Sequence, residues 1–341
     1  MPDDVRPRTS ALSPAVAGEG WGMGARTLRS AEDLIAVGLV VPGSAPALAE
    51  VAARYAIAVT PVVAALMNAG DPADPIALQY IPDPAELLTA PGEIADPTAD
   101  APFTPVKGIV HRYPDRALLK PLLACPVYCR FCFRREVVGP DGGLLTEAEL
   151  EAALAWIAAT PAVREVILTG GDPLMLSPRR LGWLMRRLSG IGHIEVIRVH
   201  SRVPVAAPGR VTEALVAALE TERGFFLCVH ANHAREFSDK AAEALRRLSR
   251  AGVPLLGQSV LLRGVNDSPE ALEALMRAML RHRVKPYYLH QLDPAPGTAR
   301  FRVPEAEGLA LVRGLRGRVS GLAQPAYVRE TAGGGGKVVV G

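Results

Sequence analysis

Cys125-Pro-Val-Tyr-Cys129-Arg-Phe-Cys132 follows directly on the apolar run Ala117-Leu-Leu-Lys-Pro-Leu-Leu-Ala124. Three of the chain's four cysteines fall in these eight residues, spaced C-x3-C-x2-C. The apolar run reads as a β-strand whose C-terminal end opens into a cysteine-rich loop. What lies on either side of that strand decides the fold.

Downstream, short apolar runs alternate with amphipathic stretches. The runs at 117–124, 165–169, 195–200, 225–230, 254–260 and 285–290 have strand character. The stretches at 146–159, 178–188, 212–222, 239–251, 269–281 and 305–316 have helical spacing. Six such units in sequence imply parallel strands joined by right-handed crossovers. No doubly wound fingerprint is present, so the expected fold is α/β, a partial (βα)6 TIM-like barrel. Polar residues recur where each strand ends. They are the cysteine block, Gly170-Gly-Asp172, Ser201-Arg202, His230 to His233, Gln258-Ser259 and Asp293. Barrel enzymes build their sites from these βα loops.

Upstream the text is different. Residues 1–20 are polar and aperiodic and read as a disordered tail. From 31 to 68 the apolar residues recur at helical spacing, broken by Pro42 and Pro61, which suggests two or three short helices. Residues 71–106 are rich in proline and read as an extended arm rather than a core element. The expected organisation is therefore a tail at 1–20, a helical and Pro-rich N-terminal arm at 21–110, and the barrel at 111–303. A C-terminal helix with a Gly-rich lysine segment follows at 304–341.

The chain has 341 residues and a formal charge of +3, with 49% hydrophobic and 21% charged residues. That is length for a substantial core, with no basic footprint for nucleic acid. No apolar stretch is long enough for a membrane helix and the N-terminus lacks a signal-peptide layout, so the expected location is the cytoplasm. There, clustered thiols mean metal or catalysis more often than disulfides. Cys228, alone in an apolar strand, reads as a buried small hydrophobe.

Three cysteines are one ligand short of a closed zinc site or a fully thiolate-held iron–sulfur cluster. A cubane with three protein ligands leaves one iron open for a reacting group. A Cys3His zinc site completed by His111, in a non-catalytic module, is the alternative. At the other end stand Gly333-Gly-Gly-Gly336-Lys337-Val-Val-Val. This is either a flexible tail or a hinged lysine poised to form a Schiff base with pyridoxal phosphate.

The cysteine triplet after the first strand, with Gly170-Gly-Asp172 after the second, resembles the radical S-adenosylmethionine superfamily. Several longer stretches narrow this to the lysine 2,3-aminomutase family. They are Val106-Lys-Gly-Ile-Val-His-Arg-Tyr-Pro-Asp-Arg116, Leu168-Thr-Gly-Gly-Asp-Pro-Leu174, His200-Ser-Arg-Val-Pro204, Gln258-Ser-Val-Leu-Leu-Arg-Gly-Val-Asn-Asp267 and Pro286-Tyr-Tyr-Leu-His290, with the Gly-rich lysine. The likeness covers about residues 71–341. It is strongest to the branch that makes (R)-β-lysine for elongation factor P.

What the resemblance implies is as follows. Cys125, Cys129 and Cys132 hold a 4Fe-4S cluster, and S-adenosylmethionine completes it. Gly170, Gly171, Asp172, Ser201, His230 and Gln258 contact S-adenosylmethionine. Lys337 binds pyridoxal 5'-phosphate, whose phosphate meets Arg112, Tyr113 and Arg116. Arg134 takes the substrate carboxylate, while Asp293 and Glu330 take its far ammonium. The implied reaction is L-lysine to β-lysine by radical 1,2-amino migration, an isomerase activity. Glu330 is one methylene longer than the family's Asp, which keeps ornithine open as a substrate. Two acids argue against glutamate. A flavodoxin or ferredoxin is the implied electron donor. Longer relatives have a C-terminal extension that assembles the oligomer, and the arm at 71–106 offers another route to a homo-oligomer.

Overall fold

The computed structural model describes residues 26–139, 142–331 and 336–341. The expectation of disorder at 1–20 and the glycines at 333–335 lie outside the described residues.

Among the described residues nine strands form one sheet in sequence order. They are β1 (Ile109–Tyr113), β2 (Arg116–Leu122), β3 (Glu165–Gly170), β4 (Val196–Ser201), β5 (Gly224–His230), β6 (Leu255–Val260), β7 (Val284–His290), β8 (Ala326–Thr331) and β9 (Gly336–Val339). Neighbours from β2 to β8 all pair in parallel. β1 folds back antiparallel on β2, and β9 antiparallel on β8. The six expected strands are all present, and Ala326–Thr331 adds a seventh to the parallel set. That segment carries Arg329 and Glu330 and is only partly buried, so it lacks the apolar run that marks the others.

Among the described residues the N-terminal arm carries α1 (Ala31–Ala36), α2 (Ala45–Arg54), α3 (Pro61–Ala64) and α4 (Ala77–Tyr80). The barrel then carries α5 (Glu147–Ala158), α6 (Pro178–Ser189), α7 (Val203–Ala206), α8 (Glu213–Ala217), α9 (Asp239–Arg250), α10 (Pro269–Arg281) and α11 (Glu305–Leu315). The hydroxyls of Thr146, Ser177, Thr212, Ser238 and Ser268 cap α5, α6, α8, α9 and α10. Each such cap is worth about 0.5–2 kcal/mol and fixes where the chain turns from loop to helix. α8 is shorter than its apolar spacing suggested. The Thr221 hydroxyl accepts from Arg223 N (3.1 Å) and bonds Ser189 Oγ (2.6 Å), tying the chain into a turn there.

The main core lies between sheet and outer helices, where Leu168, Ile197 and Val199 meet Leu184, Leu245 and Leu275. A second cluster joins Leu34, Ile76 and Tyr80 of the arm to Val127 of the cysteine loop. The arm therefore departs from the extended path its prolines suggested. Pro84 and Pro102 each sit in the first turn of a 3-10 segment (Pro84–Leu87 and Ala101–Phe103), where a missing N–H costs nothing. Ile76, Tyr80 and Glu86 are buried. Among the described residues no helix is long and apolar enough to cross a membrane.

Candidate active site

The C-terminal strand ends surround a cavity of about 610 Å³, within the range of small-molecule sites. Its lining includes Cys125, Cys129, Cys132, Arg134, Gly170, Gly171, Asp172, Ser201, His230, Gln258 and Asp293. Arg112, Tyr113, Arg116, Glu330 and Lys337 line it too, so every site residue expected from sequence reaches one chamber. Arg202, which no role had claimed, reaches it as well.

One wall is the cysteine loop. Burial pushes all three thiols up, Cys129 to about 11. Among the described residues no three His, Cys, Asp or Glu side chains stand in metal-binding range of one another. The thiols are neutral neighbours, and only a cation's field would ionise them at neutral pH. His111 is not among them. Its ring packs edge-on against Trp156 at 5.1 Å, on the helical side of the sheet, which removes the Cys3His zinc site.

Beside the loop, Gly170 has φ +110, and a Cβ there would stand 2.7 Å from Leu122 O. A Cβ on Gly171 would stand 2.3 Å from Ala124 O. The glycine pair therefore lets the end of β3 touch the strand that carries the cysteines. Asp172 follows with its oxygens occupied: Ser201 Oγ donates at 2.8 Å, Arg202 N at 2.7 Å, and Leu174 N and Val203 N at 3.1 Å. Asp172 thus organises the loop after β4 and holds Ser201. Burial nonetheless raises its carboxyl.

The far wall is the C-terminal hairpin. Glu330 and Lys337 are direct cross-strand partners in β8 and β9. Lys337 Nζ donates to Glu330 Oε1, and Arg112 Nη2 to Glu330 Oε2 at 2.6 Å. The Lys337 N–H donates to Tyr113 Oη at 2.7 Å. Arg116 lies over the Tyr113 ring at 3.7 Å. These contacts close the seam between the two edges of the sheet. Glu330 is therefore engaged by Lys337 and Arg112. Asp293, facing the same space, has no ion-pair partner among the described residues. Burial, reinforced by the Glu330 charge, pushes Asp293 up to about 7.

Asp100, from the Pro-rich arm, is a site residue the sequence did not disclose. Its Oδ2 accepts from Arg134 Nε at 3.1 Å and Lys120 Nζ at 3.2 Å. Burial opposes its charge, but those two cations outweigh it and hold the carboxyl at about 2. His200 and His290, inside the barrel, were also unassigned. Burial lowers both, His290 to about 3, and His230 is lowered likewise, so the three rings stay neutral. Gln258 Nε2 lies 3.4 Å from His200 Nδ1. Their position at strand ends was the available signal; for Asp100 there was none, because its partners are distant in sequence.

The buried nitrogens His200 Nε2, His230 Nε2 and Arg202 Nη1 lack protein partners. With Arg112, Arg116 and Arg134 they make a chamber rich in groups for anions and polar ligands. Three thiols at one side and a lysine amine at the other fit an iron–sulfur cluster with S-adenosylmethionine and an aldehyde cofactor.

Comparison with known proteins agrees. A family model described as the radical SAM superfamily matches residues 119–276. Streptococcus suis SuiB, solved with S-adenosylmethionine, shares the fold at a TM-score of 0.50 and 13% identity, over 64% of this chain and 51% of that one. Fold and cysteine loop together define a radical S-adenosylmethionine enzyme.

The L-lysine 2,3-aminomutase of Acetoanaerobium sticklandii is 40% identical over 284 residues, 83% of this chain and 69% of that protein. Glutamate 2,3-aminomutase of Clostridioides difficile is 34% identical over 288 residues, 84% of this chain and 68% of that one. The chain belongs to the lysine 2,3-aminomutase family, isomerases whose cofactors are a 4Fe-4S cluster, S-adenosylmethionine and pyridoxal phosphate.

Proposed function

We propose that this protein converts L-lysine to β-lysine, with Cys125, Cys129 and Cys132 as cluster ligands and Lys337 as the attachment point for pyridoxal phosphate. The observation that carries the reading is the pair of acids, Asp293 and Glu330, in one cavity with Lys337, Arg134 and the three cysteines. When bound, the cluster with S-adenosylmethionine supplies a carbon radical, and pyridoxal phosphate supplies the carbonyl to which an amine attaches.

The chain's own residues bind, orient and move protons around that chemistry. Arg112, Tyr113 and Arg116 hold the cofactor phosphate, a match for guanidinium forks. Gly170, Gly171, Ser201, His230 and Gln258 shape the S-adenosylmethionine pocket, with Asp172 fixing Ser201. Arg134 takes the substrate carboxylate, and Asp100 then keeps Lys120 as its remaining partner. Asp293 receives the far ammonium of lysine, whose charge favours the ionised carboxylate. Glu330 changes partner: it holds Lys337 while that amine is free and faces the substrate ammonium once Lys337 is engaged elsewhere.

A side-chain carboxylate in place of the ammonium meets two acids, so glutamate is disfavoured. The likeness of 261–267, 287–290 and 329–330 to the elongation factor P branch supports β-lysine for that factor as the destination. The electron comes from a flavodoxin or ferredoxin. The test is Lys337→Ala mixed with pyridoxal phosphate and reconstituted cluster. The visible band of the bound cofactor vanishes while iron content stays at the wild-type level. Persistence of that band excludes Lys337 as the attachment point.

A further inference from the structure

Asp293 lies unpaired in a chamber that also holds cations. Arg112, Arg134 and Lys337 line the cavity with it, and their charges reach it, as does that of Glu330. A buried carboxylate and a free guanidinium in one chamber pair with each other unless something keeps them apart, because leaving either charge alone is costly. Here each cation is already engaged. Glu330 holds Lys337 and Arg112. Asp100 holds Arg134, with its Oδ2 3.1 Å from both Nε and Nη2.

The turn that carries Asp100 fixes it there. Asp96 Oδ1 accepts from Asp100 N and Asp96 Oδ2 from Ala101 N, each at 2.9 Å. Thr98 O accepts from Arg112 Nη1, and Thr98 Oγ1 donates to Asp100 Oδ1 at 3.1 Å. Between them Ala99 has φ +53, a left-handed conformation that a residue with a Cβ adopts only where its surroundings impose it. Lys120 Nζ donates to the same Asp100 Oδ2 at 3.2 Å, so Asp100 keeps a counter-ion when Arg134 leaves. Asp100 offers Arg134 the functional group that the carboxylate end of an amino acid would offer.

We propose that Asp100 is a positioning residue that reserves Arg134 for an amino-acid carboxylate, by holding its guanidinium away from Asp293 while the cavity is empty. The proposal rests on the reading of Arg134 as the carboxylate site and Asp293 as the ammonium site. Without Asp100, Arg134 and Asp293 pair, and both ends of the substrate site close at once. An incoming amino acid must then break that pair before either of its charged ends is seated. With Asp100 in place, one carboxylate exchanges for another at Arg134, and Lys120 retains Asp100.

The test is a double-mutant cycle on L-lysine binding, with Asp100→Asn, Asp293→Asn and the double variant. The dissociation constant is read from the visible spectrum of protein loaded with pyridoxal phosphate and cluster, without reductant. Asp100→Asn raises it about tenfold in the wild-type background. In the Asp293→Asn background no acid competes for Arg134, and Asp100→Asn changes it by less than about twofold. The pH profile gives a second readout. Lysine binding to wild type strengthens as pH rises through about 7, where Asp293 ionises among Glu330, Lys337, Arg134 and Arg112. In Asp100→Asn the freed guanidinium favours the Asp293 anion, so this limb moves to lower pH. Asp100→Ala is carried through the same cycle, so that misfolding of one variant leaves the comparison intact. An equal loss in both backgrounds, an unchanged dissociation constant, or an unmoved limb overturns the proposal. If wild type shows no cofactor band, or Asp293→Asn alone leaves lysine binding intact, the reading of the site fails, and the proposal falls with it.

Discussion

The cysteine loop and the lysine hairpin face each other across one cavity, yet they are held by opposite means. The loop is fixed from behind by buried charge: Glu86 gathers Arg130, Arg135 and Arg300, and Gln79 O accepts Arg130 N at 2.8 Å. The hairpin is fixed from in front by residues that themselves line the cavity, namely Tyr113, Arg112 and Glu330. A loop held this way draws none of these contacts from the cavity side. A lysine held by its neighbours' side chains exchanges partners as the cavity fills. That exchange suits the role proposed for Lys337.

The difference is open to measurement, beginning with the largest effect. Glu86→Ala leaves two buried guanidiniums, Arg130 and Arg135, and the partly exposed Arg300 without their shared carboxylate, which costs about 3–5 kcal/mol. Urea unfolding of the apoprotein reads this directly; a change under 1 kcal/mol means that the loop is not held by charge. Asp293→Asn leaves the fold intact but removes the anion proposed for the far ammonium. Lysine turnover, as kcat/KM, falls by the equivalent of about 2–5 kcal/mol. The sign of the pH dependence follows from the raised Asp293. Its carboxyl titrates at about 7, and its ionised form attracts an ammonium. In wild type kcat/KM for lysine therefore rises as pH increases through that value, and Asp293→Asn loses this limb.

The hairpin contributes smaller terms. Gly336 has φ +69, and a Cβ there would stand 2.6 Å from the Tyr113 ring. Gly336→Ala costs about 1–3 kcal/mol of strain and displaced contact, read as a lower thermal midpoint. Apparent affinity for pyridoxal phosphate weakens with it, because Tyr113 moves. An effect as large as that of Glu86→Ala would erase the distinction between the two walls. The smallest change is expected on the outer helices. Arg187 and Glu151 are each 43% exposed, and Arg187→Ala shifts stability by about 0–1 kcal/mol.

The two walls also differed in how far the sequence disclosed them. The cysteine block was legible because its three thiols fall within eight residues and its strand is apolar apart from Lys120. Six strand–helix units were legible for the same reason, since the face each strand buries against the helices leaves a local apolar signature. β8 was not, because a half-exposed strand carrying Arg329 and Glu330 has no such signature. Lys337 stood out through its glycines, but its pairing with Glu330 follows from β8–β9 register, which no local pattern encodes. Asp100 with Arg134, and Glu86 with its arginines, are contacts across 34 to 214 residues. Only the folded arm brings them together. The resemblance supplied roles for the residues around the cavity. It supplied none for the charges behind the cysteine loop, where packing alone reveals them.

Substrate choice tests the roles proposed for Asp293 and Glu330 most directly. Reduced, reconstituted protein with S-adenosylmethionine and pyridoxal phosphate should be given L-lysine, L-ornithine and L-glutamate in parallel, with the amino-shifted products separated and quantified. The expected main product is β-lysine, with little or no β-glutamate. Efficient turnover of glutamate with lysine untouched would contradict the role given to Asp293 and Glu330.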